Sequence, residues 1–255
     1  MRKANLGYSF LWHTGKRLVA AISLSAVLSA VPPPAGAQVV NSTKNPNQIA
    51  ILHWYGANQT TQFPVGNSPR GVAFDGANIW VTNFGSNTVT KLRASDGAAL
   101  GTFSVRFPVG VAFDRANIWT ANANDTVTKL LASDGKTLGT FAAGDDPLGV
   151  AFDGTNIWVA NFGEIQGGSV TKLRASDGKI LGIFAVGSFP RGVAFDGANV
   201  WVVNSVSGTV TKLRASDGAT LGTFATGGGL PVGVAFDGAN IWVTNSGDSN
   251  TVSKL

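Results

Sequence analysis

The stretch GVAFDGANIWVTN occupies residues 71–83 and recurs, with small changes, along most of the chain. Its GVAFD string begins again at Gly110, Gly149, Gly192 and Gly233, at spacings of 39, 39, 43 and 41 residues. Each copy continues to a Trp, then to an Asn three residues later, then to TVTKL, and all but the last go on to ASDG and LGTF or close variants. A fixed period of this length indicates a repeat architecture, in which each unit buries its apolar faces against its neighbours.

Each unit predicts four short strands, GVAF, NIWVTN, TVTKL and LGTF, which we call strands a, b, c and d. They are rich in β-branched and aromatic residues and are bounded by Gly, Asn and Asp. Asp-Gly pairs in the a–b and c–d links favour tight turns. Strand b places Ile79 and Val81 on one face and Trp80 on the other, so both faces must be covered. The pattern predicts an all-β fold, a β-propeller of four-stranded antiparallel blades with Trp and Phe packed between them.

The number of blades follows less directly from the repeats. Five copies predict about five blades, with six as the alternative. Residues 48–66 lack strands a and b but match strands c and d through QIAIL and TTQF, whereas the C-terminal copy ends at Leu255 without strand d. The N-terminal d strand would therefore complete the last blade and close the ring, which removes an open sheet edge. Strand c is then supplied twice, by residues 48–52 and by the C-terminal copy. An incomplete ring and a chain truncated from a longer parent therefore remain as alternatives.

The N-terminal residues have the pattern of a targeting signal. Arg2, Lys3, Lys16 and Arg17 precede a 14-residue apolar run at 18–31, and Ala35-Gly36-Ala37 fits a cleavage site. We therefore expect a signal peptide at 1–37, a flexible linker at 38–47 and the propeller at 48–255. A single membrane anchor is the alternative, although the run is short for a bilayer span. The expected location is periplasmic or extracellular, with no membrane span after cleavage.

Charge disfavours nucleic acid as a partner. The whole chain has 19 basic and 14 acidic residues, a net charge of +5. The four basic residues of the signal leave 15 basic and 14 acidic residues in the mature chain, a net charge of +1. The Lys and Arg residues of TVTKLRAS recur once per blade, so they are spread around the ring and form no basic groove.

Scarce residue types exclude most catalytic and metal sites. The chain has no Cys, one Glu (Glu164) and two His, His13 and His53, so disulfides, cysteine nucleophiles and histidine-rich zinc sites are excluded. A Ser-His-Asp arrangement would need His53, which lies in the predicted N-terminal strand. We assign no catalytic, cofactor-binding or metal residues. Calcium is the one cofactor candidate, at Asp145 and Asp146, although solvated loop carboxylates are the commoner case. The NSGDSN stretch at 245–250 has calcium-loop residue types but lacks the spacing and the terminal Glu of such a loop.

Comparing the copies with one another identifies a variable face. The a–b and c–d turns hardly change, and their repeated Asp residues are typical of Asx turns. The b–c and d–a links vary in length and content, and in an up-and-down blade they emerge on the same side. Function usually lies on loops that a rigid scaffold carries, although unconstrained drift would look similar. The candidate binding residues on this face are Arg70, Arg106, Phe107, Asn124, Asp125, Asp145, Asp146, Glu164, Gln166, Phe189, Arg191 and Asp248.

The unit P-x-GVAFDGANIWVTN…TVTKLRASDG resembles the YVTN-type repeats of bacterial secreted β-propellers, with WVTN at 80–83 and WVAN at 158–161. It is also similar to NHL repeats and to streptogramin-lyase and lactonase-like propellers. The resemblance covers residues 48–255 and implies six or seven blades. The lyases use histidine and acidic residues around a metal, but no GVAFD unit here contains histidine. Gluconolactonase-like propellers hold calcium with Glu, Asp and Asn, and Glu164 lies in a loop insertion, so neither activity is carried over.

The leading hypothesis is an exported, non-enzymatic, monomeric β-propeller that binds a protein, peptide or glycan through its variable face. The alternative from the enzyme class is a metal-assisted lyase or lactonase, which rests on analogy of fold. A truncated paralogue without independent function is the third hypothesis.

Overall fold

A computed structural model describes residues 62–163, 167–247 and 250–255, which all belong to one compact unit, Thr60–Leu255. The predicted signal peptide, the linker, the strand c copy at 48–52 and His53 lie outside these residues. In the part of the chain that is described, no helix is long and apolar enough to cross a membrane.

The regular structure of the described residues consists of β-strands. Each strand a begins at a proline, and each strand b of the first four blades begins and ends at an asparagine. The strands of the first three blades are β1 (Pro69–Phe74), β2 (Asn78–Asn83), β3 (Thr88–Arg93), β4 (Ala99–Ser104), β5 (Pro108–Phe113), β6 (Asn117–Asn122), β7 (Thr126–Leu131), β8 (Thr137–Ala142), β9 (Pro147–Phe152), β10 (Asn156–Asn161), β11 (Ser169–Arg174) and β12 (Ile180–Ala185). The last two blades contain β13 (Pro190–Phe195), β14 (Asn199–Asn204), β15 (Thr209–Arg214), β16 (Thr220–Ala225), β17 (Pro231–Phe236), β18 (Ile241–Asn245) and β19 (Thr251–Lys254).

The strands form five antiparallel sheets, one for each repeat. The first four sheets have four strands in chain order, and the fifth contains β17, β18 and β19. Successive strands a lie side by side, so β1, β5, β9, β13 and β17 are the innermost strands. The predicted all-β propeller of five blades is therefore confirmed. Residues 62–66, which include the end of TTQF, form no strand, so β19 is the last strand of the fifth sheet among the described residues.

Large apolar side chains fill the space between blades. Trp80 and Val89 of the first blade pack with Ile118 and Leu130 of the second, and all four are fully buried. Phe103 of strand d completes this cluster, with its ring centroid 5.6 Å from that of Trp80. The same cluster recurs between the following blades, which confirms that Trp and Phe pack between the sheets.

The repeated Asp before the a–b turn holds both the turn and the core Trp. Asp75 Oδ1 accepts hydrogen bonds from the Ala77 and Asn78 amides at 2.9 and 2.7 Å, and Oδ2 accepts one from Trp80 Nε1 at 2.7 Å. Burial alone would raise the pKa of Asp75, but the Trp80 and Asn78 hydrogen bonds outweigh it and lower this pKa. The predicted Asx turns are therefore confirmed, and the carboxylate has a structural use.

The repeated Lys of strand c joins neighbouring blades. Lys91 Nζ donates to the carbonyls of Ala132 and Ser133 in the next blade, at 2.7 and 3.0 Å. Its charge also lies 5.1 Å from the Trp80 ring centroid, a cation–π distance. Equivalent bonds come from the buried Lys129 and Lys172. These lysines belong to the scaffold and offer little charge to a ligand.

Candidate functional site

The b–c and d–a links form one continuous surface, which we call the loop face. The Phe84 amide of the first b–c link donates to the Ser68 carbonyl at 3.0 Å. Asn87, at the other end of that link, accepts from the Val105 amide at its carbonyl and from the Phe107 amide at its side chain, at 3.0 and 2.8 Å. Each b–c link is thus tied to neighbouring d–a links, which confirms that both kinds of link lie on one side.

One position of the d–a link has an unusual backbone in every blade. The residue before the strand a proline has a positive φ between 44° and 55°, and these residues are Ser68, Phe107, Asp146, Phe189 and Leu230. Left-handed φ is unfavourable for residues with side chains, and a following proline favours extended backbone instead. Each of these carbonyls accepts a hydrogen bond from the residue after strand b, which holds the conformation. Five different side chains are therefore presented from one fixed backbone position.

The first arginine–phenylalanine cluster lies at blades 1 and 2. The guanidinium carbon of Arg70 is 4.1 Å from the Phe84 ring centroid, and Arg106 is 5.6 Å from that of Phe107. The two rings are 5.8 Å apart at 46°. Phe107 is the pre-proline residue described above, so its backbone fixes the position of its ring.

The second arginine–phenylalanine cluster lies at blades 3 and 4. Phe162 and Phe189 meet edge to face at 4.7 Å, and the guanidinium carbon of Arg191 is 4.9 Å from the Phe162 ring centroid. Arg191 Nε is buried and has no acceptor among the described residues. As in the first cluster, an arginine lies over a phenylalanine ring that contacts a second phenylalanine ring.

Acidic groups lie near both clusters. Asp125 Oδ1 accepts a hydrogen bond of 3.1 Å from the Asp146 amide. Burial raises the pKa of Asp146, and the charges of Asp145 and Asp125 raise it further, while Arg70 and Arg191 act in the opposite direction. Both arginines are therefore close enough to act on one carboxylate. The loop face presents two arginine–aromatic groups with an acidic group near both.

Most of the predicted residues are brought into this arrangement. Arg70, Arg106 and Phe107 form the first cluster, Phe189 and Arg191 belong to the second, and Asp125, Asp145 and Asp146 form the acidic group. Asn124 has a local use, since its Oδ1 accepts from Thr126 Oγ1 at 2.8 Å. Three predicted residues lie outside the described part of the chain: Glu164, Gln166 and Asp248.

Phe84 and Phe162 were missed by the sequence analysis, although each supplies the ring under an arginine. Both follow the last Asn of strand b, where the other copies have Ala or Ser. Comparing this position between copies would have identified them.

A metal site is not assembled by the residues that the structure describes. Within residues 62–163, 167–247 and 250–255, no group of three or more His, Asp or Glu side chains is placed to hold a metal ion. The calcium candidate at Asp145 and Asp146 stays a prediction.

Comparison with known proteins supports the class of fold. No protein-family model matches the chain, and no curated protein matches it. Among solved structures, the chain is similar to hydrazine synthase of Kuenenia stuttgartiensis, with a TM-score of 0.63 and 17% identity over 77% of this chain and 68% of that one. It is also similar to U3-55K, with a TM-score of 0.67 and 14% identity over 75% of this chain and 62% of that one. The WD40 repeats of RRP9 match with a TM-score of 0.67 and 14% identity, over 75% and 61% of the two chains.

These likenesses define the chain as a β-propeller with WD40-like structural neighbours. At such identities they concern the fold alone. The narrower resemblance to YVTN-type and NHL repeats stays a prediction.

Proposed function

We propose that this chain is a non-enzymatic binding scaffold that holds a protein or peptide on its loop face. The observation that carries the proposal is the pair of arginine–phenylalanine clusters near one acidic group. Arg and aromatic side chains are enriched in protein interfaces and supply most of their hot spots. A repeated scaffold with individual links is also the usual arrangement for recognition.

The fixed backbone of the loop face supports this function. Phe107 and Phe189 both occupy the left-handed pre-proline position. Holding such a conformation has an energetic cost, and residues of this kind concentrate at ligand-binding sites. Because their positions are set before a ligand arrives, less freedom is lost on binding.

The charges of the loop face favour a ligand with both signs of charge. Arg70, Arg106 and Asp145 are exposed, while Asp146 is partly buried and interacts with the charges of Arg70 and Arg191. An acidic side chain of a ligand would pair with an arginine, and a basic one with Asp145. A mixed peptide segment fits this pattern better than a uniformly charged polymer does.

Selection from a random peptide display library on the immobilised full chain tests the proposal. The test variant is Arg70→Ala/Arg191→Ala. The matched control is Arg93→Ala/Arg214→Ala, because those exposed arginines lie at the c–d turns, each paired with an Asp three residues on. We expect enriched peptides to bind the control as they bind the wild type, and the test variant roughly tenfold or more weakly. Equal binding to both variants would refute the loop face as the site.

If the chain bound glycans on an array and no peptide were enriched, the ligand would be a glycan and not a peptide. Loss of that glycan binding in the test variant would still place the binding site on the loop face. A cooperative thermal transition of the test variant would show that it is folded, so that its weaker peptide binding does not result from unfolding.

We also propose that the chain is exported through residues 1–37. The support is the basic start, the apolar run and the small residues before Gln38. Expression of the full chain with analysis of the mature N-terminus tests this, and we expect Gln38 as the first residue. An intact Met1 on the cellular protein would contradict export by this signal.

A further inference from the structure

The second residue of strand a differs in kind between the blades. It is aliphatic in blades 2, 3 and 5 and arginine in blades 1 and 4, and the five residues are Arg70, Val109, Leu148, Arg191 and Val232. Arg191 is half-buried, as its aliphatic equivalents are, whereas Arg70 is exposed. In blade 4 a charged side chain therefore occupies a place that three other blades fill with Val or Leu.

Arg191 has no acidic or hydrogen-bonding partner within the described part of the chain. The ion pairs in residues 62–163, 167–247 and 250–255 are formed by the c–d turn residues Arg93, Arg174 and Arg214. Arg191 Nε is buried, and no acceptor for its N–H is found in those residues. A buried donor without an acceptor is costly, and an absent ligand is one reason for a protein to keep such a group.

The link that leads to Arg191 is held in place from both sides. The Gly168 amide of the preceding b–c link donates to the Gly187 carbonyl at 3.2 Å. The Ser205 amide of the following b–c link donates to the Phe189 carbonyl at 3.0 Å. The start of the strand that carries Arg191 is therefore fixed before a ligand arrives, which reduces the freedom lost on binding.

The guanidinium group of Arg191 fits a planar acceptor. Its carbon lies 4.9 Å from the Phe162 ring centroid, and this cation–π contact does not satisfy its N–H donors. One edge of a guanidinium presents two parallel N–H groups, which match the two oxygens of a carboxylate. The ammonium group of a lysine offers no such fork.

The surrounding charges favour an acceptor with one negative charge. The charges of Asp145 and Asp125 raise the pKa of Asp146, which shows that they act on anions in this part of the loop face, while Arg191 and Arg70 act in the opposite direction. One guanidinium balances the single charge of a carboxylate. The nearby aspartates would repel the second charge of a phosphate group.

We propose that Arg191 binds a carboxylate of the peptide that the loop face holds. This inference rests on the proposed function and names a group that the ligand must carry. An Asp or Glu side chain and the C-terminal carboxylate of a peptide share this chemistry. The half-buried rings of Phe162 and Phe189 lie beside Arg191 and offer apolar contacts to the neighbouring part of the peptide.

Titration with acetate tests the site without any peptide. The Nε–H signal of Arg191 is identified in the NMR spectrum of the isotope-labelled full chain by its absence from Arg191→Gln. We expect acetate to shift this signal saturably, whereas chloride at the same ionic strength should not. Arg174→Gln is the matched control, because Arg174 is exposed and paired with Asp177 at a c–d turn. Its Arg191 signal should respond to acetate as that of the wild type does.

Removal of a neighbouring negative charge gives a second readout. Asp146→Asn should bind acetate more tightly than the wild type, because the charge of Asp146 interacts with that of Arg191. Asp177→Asn is the control, since Asp177 lies at a c–d turn on the other side of the blade. Equal acetate affinities of Asp146→Asn and the wild type would contradict a carboxylate bound at Arg191.

Peptides selected on the full chain identify the source of the carboxylate. Replacing an Asp or Glu of the peptide by its amide removes a side-chain carboxylate, and amidation of the C-terminus removes the terminal one. The change that removes the bound carboxylate should weaken binding to the wild type roughly tenfold or more. The same change should leave binding to Arg191→Gln nearly unaltered, because the partner of the carboxylate is already absent.

The results separate this inference from the proposed function. Peptides that bind the loop face without a carboxylate whose effect depends on Arg191 would overturn the inference alone. Saturable acetate binding at Arg191, without any selected peptide, would support the carboxylate site and contradict the peptide ligand.

Three further results of the titration would overturn the proposal. The first is an Arg191 signal that acetate shifts no more than chloride does. The second is saturation by phosphate at a lower concentration than by acetate. The third is a shift of this signal in Glu164→Gln without acetate, which would show that a carboxylate of the chain itself fills the site.

Discussion

Trp158 Nε1 donates a hydrogen bond of 2.7 Å to Asp153 Oδ2, five residues earlier in the same blade. The other oxygen of Asp153 accepts from the Thr155 and Asn156 amides at 2.8 and 2.6 Å. One carboxylate therefore joins the a–b turn to a fully buried Trp in the interface between blades. This relationship explains why the same Asp and Trp recur at a fixed spacing in all five units.

Replacing Asp153 by Ala is expected to lower the free energy of unfolding by about 3 kcal/mol, because a buried indole N–H and two amides lose their acceptor. Chemical denaturation measures this change. The matched variant is Asp237→Ala, where the Trp242 partner is 38% exposed and water can replace the carboxylate. Equal losses for the two variants would show that burial of the indole does not set the cost.

Replacing Lys172 by Met is expected to destabilise the protein by about 2 kcal/mol, since the Ala215 and Ser216 carbonyls of the next blade lose their donor. Lys179→Met is the control, because Lys179 is exposed at the c–d turn. The control should change the free energy of unfolding by less than about 0.5 kcal/mol. A Lys172→Met protein as stable as the control would argue against the role of Lys172 between blades.

Asp146 predicts a distinct dependence on pH. Burial and the negative charges of Asp145 and Asp125 raise the pKa of Asp146. Ionisation of Asp146 therefore destabilises the folded state. Asp146→Asn should therefore be more stable than the wild type at neutral pH. The difference should shrink as the pH falls through the raised pKa, because wild-type Asp146 is then neutral too. A difference that persists in acid would instead reflect the preference of Asn for left-handed backbone.

Acid is expected to destabilise the scaffold through other carboxylates. The Trp242 hydrogen bond and neighbouring amides lower the pKa of Asp237, and similar bonds outweigh burial to lower those of Asp75 and Asp196. Groups of this kind stabilise the folded state above their unfolded pKa, about 3.9, and lose this contribution as the pH falls towards the folded pKa. Urea denaturation at a series of pH values should show stability falling below about pH 4. A stability that is constant down to strongly acid pH would contradict these lowered pKa values.

The left-handed pre-proline position predicts an unusual effect of glycine. Leu230 has a φ of 44° and is 49% exposed, so Leu230→Gly removes an unfavourable conformation with little loss of packing. We expect the free energy of unfolding to rise by up to about 1 kcal/mol. Leu221→Gly is the control, since Leu221 is 44% exposed inside strand β16, where glycine should cost about 1 kcal/mol. Losses of the same size at both positions would show that the backbone at Leu230 is unstrained.

The repeats allowed the strands, the five blades and the structural Asp residues to be predicted, because local turn chemistry and apolar alternation recur in every copy. Arg70, Phe107, Phe189 and Arg191 were found because they break the repeat on the variable face. Phe84 breaks the repeat too, at the position after strand b where other copies have Ala or Ser, but its contact with the Phe107 ring is visible only in the structure.

The positive φ of the pre-proline residues was not predictable from local preferences, since a following proline favours the extended region. Hydrogen bonds from the end of strand b, such as that from the Phe162 amide to the Asp146 carbonyl, impose it.

Hydrogen exchange of the full chain, with and without a peptide selected on it, tests the loop face as the binding site most directly. The account predicts slower exchange in the links at 66–70, 105–107, 144–146 and 187–191 when the peptide is bound. The c–d turns at 94–98 and 175–179 should exchange at unchanged rates. Protection confined to those turns, with the loop-face links unaffected, would contradict the account.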